Sequence, residues 1–154
     1  MQFKLSDLNR SIVKVQLLQD VSSTSYDYKI TSAADVDKLV GAELRKLDRE
    51  HLLAIYLNSR NKVIDIEVLA IGTLSEVLVH PREVFKSAIL ANAYSFILVH
   101  NHPSGDQEPT KEDQKITEDM KEVGRMMQIP LKDHVIIGKG WFSFFEWRMN
   151  VEGI

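Results

Sequence analysis

Apolar and polar positions alternate along the chain with two different periods, and the switches between them mark out its elements. Residues 12–18 (Ile-Val-Lys-Val-Gln-Leu-Leu) alternate at period two, which predicts a strand, and the polar stretch Ser22 to Asp27 follows as a loop. Ser32-Ala33-Ala34-Asp35 has capping-box spacing. It opens a predicted helix running to about Leu47, with Val36, Leu39, Val40 and Leu44 on one face. Leu52 to Leu57 and Val63 to Ile71 are β-rich runs joined by Asn58-Ser59-Arg60-Asn61, the pattern of a hairpin. Glu76 to Val79 is a further short strand. Pro81 falls at the first position of a helix that Val84, Phe85, Ala88 and Ile89 stripe to about Asn92. Ser95 to His100 is a strand with a buried composition. Thr110-Lys111-Glu112-Asp113 opens a helix to about Gln128, with Ile116, Met120, Val123 and Met127 at core spacing. His134 to Ile137 and Trp141 to Phe145 are the last strands, separated by Gly138-Lys139-Gly140. Strands alternating with helices, without repeats or an interdomain linker, predict a single α/β domain with a mixed β-sheet flanked by helices.

Composition narrows the chemistry more than the fold. A chain of 154 residues, 44% hydrophobic and 27% charged, is sized for one ordinary globular core. With no cysteine, disulfides, thiolate metal sites and a cysteine nucleophile are excluded, so any transition-metal site must use His, Asp or Glu. A net charge of −3 lacks the electrostatic footprint of a duplex-binding domain, which counts against DNA as a partner. No apolar run approaches 18 residues, and Met1-Gln2-Phe3-Lys4 does not start a signal peptide. A cytoplasmic protein without a membrane partner is expected.

Candidate chemistry concentrates in residues 96–113. His100 and His102 end an apolar run, and residues two apart on a strand share a face, so both imidazoles are expected to project together. Pro103-Ser104-Gly105 breaks the strand, and Asp113 follows eleven residues after His102 at a helix start. Two imidazoles and a carboxylate outside the carboxyl end of a strand make a three-ligand set. Such a set leaves a fourth tetrahedral position open, as in catalytic zinc sites. The bland alternative is a strand end whose histidines bond only to neighbours. A hydrolytic zinc site also needs a base, and neither a His-Glu-x-x-His helix nor a Pro-Cys-x-x-Cys segment supplies one. Glu50, Glu76 and Glu83 are the candidates, and spacing alone does not choose among them.

The set Glu50, His100-Asn101-His102-Pro103 and Thr110-Lys111-Glu112-Asp113 resembles the JAMM (MPN+) zinc metalloprotease motif. The chain is more closely similar to the RadC-like branch. Residues 99–106 (Val-His-Asn-His-Pro-Ser-Gly-Asp), 80–83 (His-Pro-Arg-Glu) and 133–138 (Asp-His-Val-Ile-Ile-Gly), with Ser143-Phe144, look like its signature blocks. The similarity runs from about Thr31 to Phe145, which divides the chain into an N-terminal strand and loop extension (1–30) and a RadC-like domain (31–154). The resemblance implies a three-layer arrangement of the JAMM/MPN, cytidine-deaminase-like kind. It implies Zn2+ held by His100, His102 and Asp113, with Glu50 as the base. Thr110 stands where the family places a serine that helps hold the oxyanion of the tetrahedral intermediate. The other reading of Thr110 is a helix N-cap, and one residue can do both. The implied activity is hydrolysis of a peptide or isopeptide bond, with a protein or peptide substrate and ubiquitin-like conjugates among the options.

Other residues have plainer readings. His80 is a cap or turn residue. His134 is a core histidine, or one that orients a ligand together with Asp133. His51 is turned away from the site by strand alternation, Arg82 and Glu83 lie on a solvated helix surface, and Ser104 shapes the turn. Of the aromatics at 141–147, half are expected inward as core and the rest form a partner surface or a homodimer edge. Two non-enzymatic readings stand beside the hydrolase. One is a DNA-repair accessory, a label the RadC-like resemblance carries. The other is an MPN scaffold that keeps the fold without catalysis.

Overall fold

The computed structural model describes residues 27–72 and 79–152. The strand expected at 12–18, the loop at 22–26 and Glu76 lie outside the described residues. Within them, a five-stranded mixed sheet is ordered β2-β1-β3-β4-β5. Its strands are β1 (His51–Leu57), β2 (Val63–Ile71), β3 (Ser95–Asn101), β4 (Leu131–Ile137) and β5 (Trp141–Ser143). The expected β1–β2 hairpin is present, and β3 pairs antiparallel to β1 and parallel to β4. The parallel pair is reached through α4 (Lys111–Met127), a crossover that covers one face. The α/β fold expected from the sequence, a single domain with a mixed sheet between helices, is the one observed.

Alternation along β1 and β3 sorts side chains to two faces. Leu53, Ile55, Leu57, Ile97 and Val99 meet Ala33, Val36, Val40 and Leu44 on one side. Leu52, Ala54, Tyr56, Phe96 and Leu98 meet Val84, Phe85 and Ala88 of α3 (Pro81–Leu90) and Met120 of α4 on the other.

Three local outcomes differ from the sequence pattern. The first helix is interrupted: α1 (Ala33–Val36) and α2 (Ala42–Leu44) flank a π-helical turn over Asp37–Gly41. The Asp37 carboxylate folds over Gly41, where a Cβ would lie 2.1 Å from its Oδ1, and pairs with Arg45 at 2.6 Å. On α4 the buried positions are Asp113, Thr117, Met120 and Gly124, whereas Met127 is exposed. The last strand stops at Ser143, and Phe144 begins α5 (Phe144–Glu152) instead of extending it. Ser143 Oγ accepts the Glu146 N–H at 3.0 Å, and Asp133 Oδ1 accepts that of Phe145 at 3.0 Å. These side chains satisfy amides that a new helix leaves without partners, so the backbone turns there. Of the aromatics, Phe144 is buried, while Trp141, Phe145 and Trp147 are exposed.

Candidate metal centre

His100 is the penultimate residue of β3 and is completely buried. His102 lies just beyond the strand end, where its N–H donates to the Ile137 carbonyl at 2.9 Å. That bond continues the β3–β4 ladder by one step and keeps the ring on the His100 side. The chain then turns at Gly105, whose φ of +83° suits a residue without a Cβ. The turn packs against the β4–β5 connection so closely that a Cβ on Gly138 would lie 2.6 Å from the Gly105 carbonyl oxygen. Arg45 braces the same connection by donating from Nε to the Gly138 carbonyl at 2.9 Å.

Asp113 arrives from the third position of α4. Thr110 caps that helix: its hydroxyl accepts the Asp113 N–H at 3.2 Å and donates to Asp113 Oδ2 at 2.7 Å, while its own N–H donates to Oδ2 at 2.8 Å. The capping box therefore fixes the carboxylate as well as the helix start. A threonine hydroxyl has one proton, and here it goes to Asp113. Donation to an oxyanion would require redirecting it.

These elements bring together the three side chains singled out from the sequence. His100 Nε2 and His102 Nε2 are 2.9 Å apart, with Asp113 Oδ1 at 3.1 Å from the first and Oδ2 at 3.5 Å from the second. Ligand atoms about 2.0 Å from a tetrahedral ion stand roughly 3.3 Å apart, so the spacing matches a shared cation. The protons point the same way. His102 Nδ1 faces the Asp106 carbonyl at 3.0 Å, an acceptor only, and so carries its hydrogen there.

Asp113 Oδ1 is buried and has no hydrogen-bond partner. Burial alone would raise the Asp113 carboxyl, but its contacts with the two imidazoles hold it well below the usual carboxylate range. His102 is correspondingly raised, chiefly by its bond to Asp113 and against its own burial, with a smaller contribution from the charge of Glu50. A buried carboxylate oxygen without a hydrogen-bond partner, facing imidazole nitrogens, is a donor set that could hold a metal ion. These residues fit zinc.

Glu50 immediately precedes β1, half-buried, and its charge reaches His102. Its main chain is clamped from both sides by Asn101, the residue between the two histidines. Asn101 Oδ1 accepts the His51 N–H at 2.8 Å, and Nδ2 donates to the Arg49 carbonyl at 3.0 Å. Gly72 N–H adds a bond to the Glu50 carbonyl at 2.9 Å. Glu83 sits on the exposed surface of α3 and pairs with Lys86 at 2.8 Å, as expected for solvated helix surface. The His51 ring bonds to the Arg49 carbonyl at 3.0 Å. His80 occupies the N-cap position of α3 without a side-chain cap bond.

Sequence reasoning did not find the clamp or Thr117. Asn101 is the middle residue of a motif defined by its neighbours, and on spacing alone it is neutral. Thr117 had a usable signal, because it lies four residues after Asp113 and therefore on the same helical face.

Comparison with known proteins places the sequence in a family. Residues 30–150 match the model of the RadC-like JAB domain. A UPF0758 protein of Rubrobacter xylanophilus is 50% identical over 120 residues, which is 78% of this chain and 53% of that protein. One from Chlorobium chlorochromatii is 48% identical over 119 residues, 77% of this chain and 54% of the relative. Another, from Methanococcoides burtonii, is 51% identical over 112 residues, 73% of this chain and 49% of its own length. The chain thus spans about half the length of the curated relatives it matches. Among the described residues no helix is long and apolar enough to cross a membrane. With the family model covering most of the chain and relatives near half identity, the chain belongs to the RadC-like JAB domain family.

Proposed function

We propose that this protein is a zinc-dependent hydrolase of the JAMM type that cleaves a peptide or isopeptide bond. The observation that carries the reading is the orphaned, buried Asp113 Oδ1 set against His100 Nε2 and His102 Nε2. A zinc ion there would supply Lewis acidity and a nucleophilic water at neutral pH. The protein's own residues supply the rest. The His102 ring is oriented by the Asp106 carbonyl, and Asp113 is held by Thr110. Glu50, kept at the rim by the Asn101 clamp, takes the proton of the attacking water and returns it to the leaving amine. Thr110 would join in holding the oxyanion by releasing its bond to Asp113 Oδ2. The substrate class is a protein or peptide.

The test has two parts. Purified protein titrated with zinc against a chromophoric chelator should bind one ion per chain, and His100→Ala or Asp113→Ala should abolish binding. Mass-spectrometric profiling of a peptide library and of isopeptide-linked ubiquitin conjugates should then show cleavage that chelator or Glu50→Gln removes. Absence of zinc binding would overturn the metal reading. Cleavage unchanged in Glu50→Gln would overturn the assigned base.

A further inference from the structure

Behind the metal centre lies a second layer of buried polar side chains that the proposed chemistry does not use. His134 of β4 and Thr117 of α4 are both buried. His134 Nε2 is 2.9 Å from His100 Nδ1, and His134 Nδ1 is 2.6 Å from Thr117 Oγ1. Thr117 Oγ1 in turn lies 2.6 Å from the carbonyl oxygen of Asp113. The series closes on itself, since it starts at one member of the ligand trio and ends on the main chain of another.

With both rings neutral, the three contacts admit one proton arrangement. The Asp113 carbonyl can only accept, so the single hydroxyl proton of Thr117 is donated to it. Thr117 Oγ1 is then left as an acceptor, and His134 must carry its hydrogen on Nδ1. A neutral His134 has one ring proton, so its Nε2 presents a lone pair to His100. His100 must therefore hold its hydrogen on Nδ1 and turn the lone pair of Nε2 toward His102 and Asp113. Phe144, stacked on the His134 ring at 5.2 Å and 14°, limits the ring's freedom to tilt out of this chain.

The geometry points to Thr117 and His134 as a tautomer lock, a pair of positioning residues that holds His100 ready for metal before any metal arrives. The inference rests on the reading of His100, His102 and Asp113 as a metal site. His102 is fixed differently, by one bond to a main-chain carbonyl in a turn. The lock therefore concerns the buried ligand alone. Its effect is to make metal binding independent of a prior proton shift on His100.

Two measurements test the lock. In metal-free wild-type protein, long-range 1H–15N NMR should show His100 and His134 with hydrogen on Nδ1. An Nε2–H form of His100 would overturn the proposal. In chelator competition with zinc alone, Thr117→Val should weaken binding about 10–100-fold, and Thr117→Ser should bind as the wild type does. A folded Thr117→Val protein with wild-type zinc affinity would equally overturn it. If the valine variant does not fold, the wild-type spectrum decides. A wild-type protein that bound no zinc would refute the proposed function. The metal-free spectrum would still rule on the proton arrangement, so the two failures are distinguishable.

Discussion

The two faces of the sheet receive side chains from the same two strands and use them differently. Toward α1 and α2, β3 and β4 contribute Ile97, Val99, Val135 and Ile137, all apolar and buried. Toward α3 and α4 they contribute Phe96 and Leu98, and then, at the carboxyl end, His100 and His134. The first face is a packing surface that needs nothing but volume. The second begins as core and ends as a polar network in which Asp113 Oδ1 lacks a partner. Both faces carry an apolar core, but only the second gives part of its buried surface to a polar site.

The largest effect should come from the packing face. Ile55→Ala empties a fully buried position there and should cost about 2–5 kcal/mol in urea unfolding. Zinc binding by the folded fraction should be unchanged, and its loss would show that the faces are not independent.

Asn101→Ala comes next, at the rim where the faces meet. It leaves the His51 N–H and the Arg49 carbonyl without their partner and should cost roughly 1–3 kcal/mol. Zinc should still bind, while cleavage should fall because Glu50 is no longer clamped. Retained cleavage would remove Asn101 from the machinery.

Half-buried Asp133 sharpens the contrast with the fully buried carboxylate of Asp113. Its oxygens have donors in Ser143, His134 N–H and Phe145 N–H, whereas Asp113 Oδ1 has none. Burial nevertheless pushes the Asp133 carboxyl up to about 6, against those bonds. A folded-state value above the unfolded one means that the native protein binds the proton more tightly. The stabilising contribution is complete below about 4 and is lost as pH rises through about 6. Relative to Asp133→Asn, wild-type stability should therefore decline by about 1–2 kcal/mol between those limits. Urea melts across that range would check it, and parallel pH profiles would contradict it.

The smallest change in stability belongs to the polar face. In metal-free protein, Asp113→Asn places an amide hydrogen toward the His100 Nε2 lone pair and keeps an oxygen for Thr110. The amide keeps these contacts but loses the charge that the imidazoles favour, so the net change should be a loss of about 1 kcal/mol or less. The added stability that zinc confers on the wild type should vanish in the variant. A large loss of metal-free stability would mean that Asp113 is structural first.

Much of this was legible before the fold. The hairpin at 52–71, the cap at Thr110 and the apolar run ending in His100 all rest on local rules, with side chains answering to neighbours a few residues away. The His100, His102 and Asp113 trio was legible because two of its members share a strand face and the third opens the next helix. Other features had weaker or hidden signals. Ser143 and Glu146 have the spacing of a helix start, but Trp141 to Phe145 also reads as a strand, and Asp133 tipped the choice.

His134 shows where local rules stop. It lies three residues after Leu131, so strict alternation would put the two on opposite faces. The ladder slips between Phe96 and Ile97, which pair with Leu131 and Asp133, and the extra residue Lys132 returns His134 to the Leu131 side. Local patterning was enough to mark which residues could bind a metal and which elements carry them. It took the folded chain to aim His134 at His100 through a slip in β4, and to carry Asn101 across to the main chain on both sides of Glu50. The reason is physical: a capping bond or a strand period is set over a few residues, whereas the orientation of an imidazole depends on partners brought in by β4 and α4 from elsewhere in the chain.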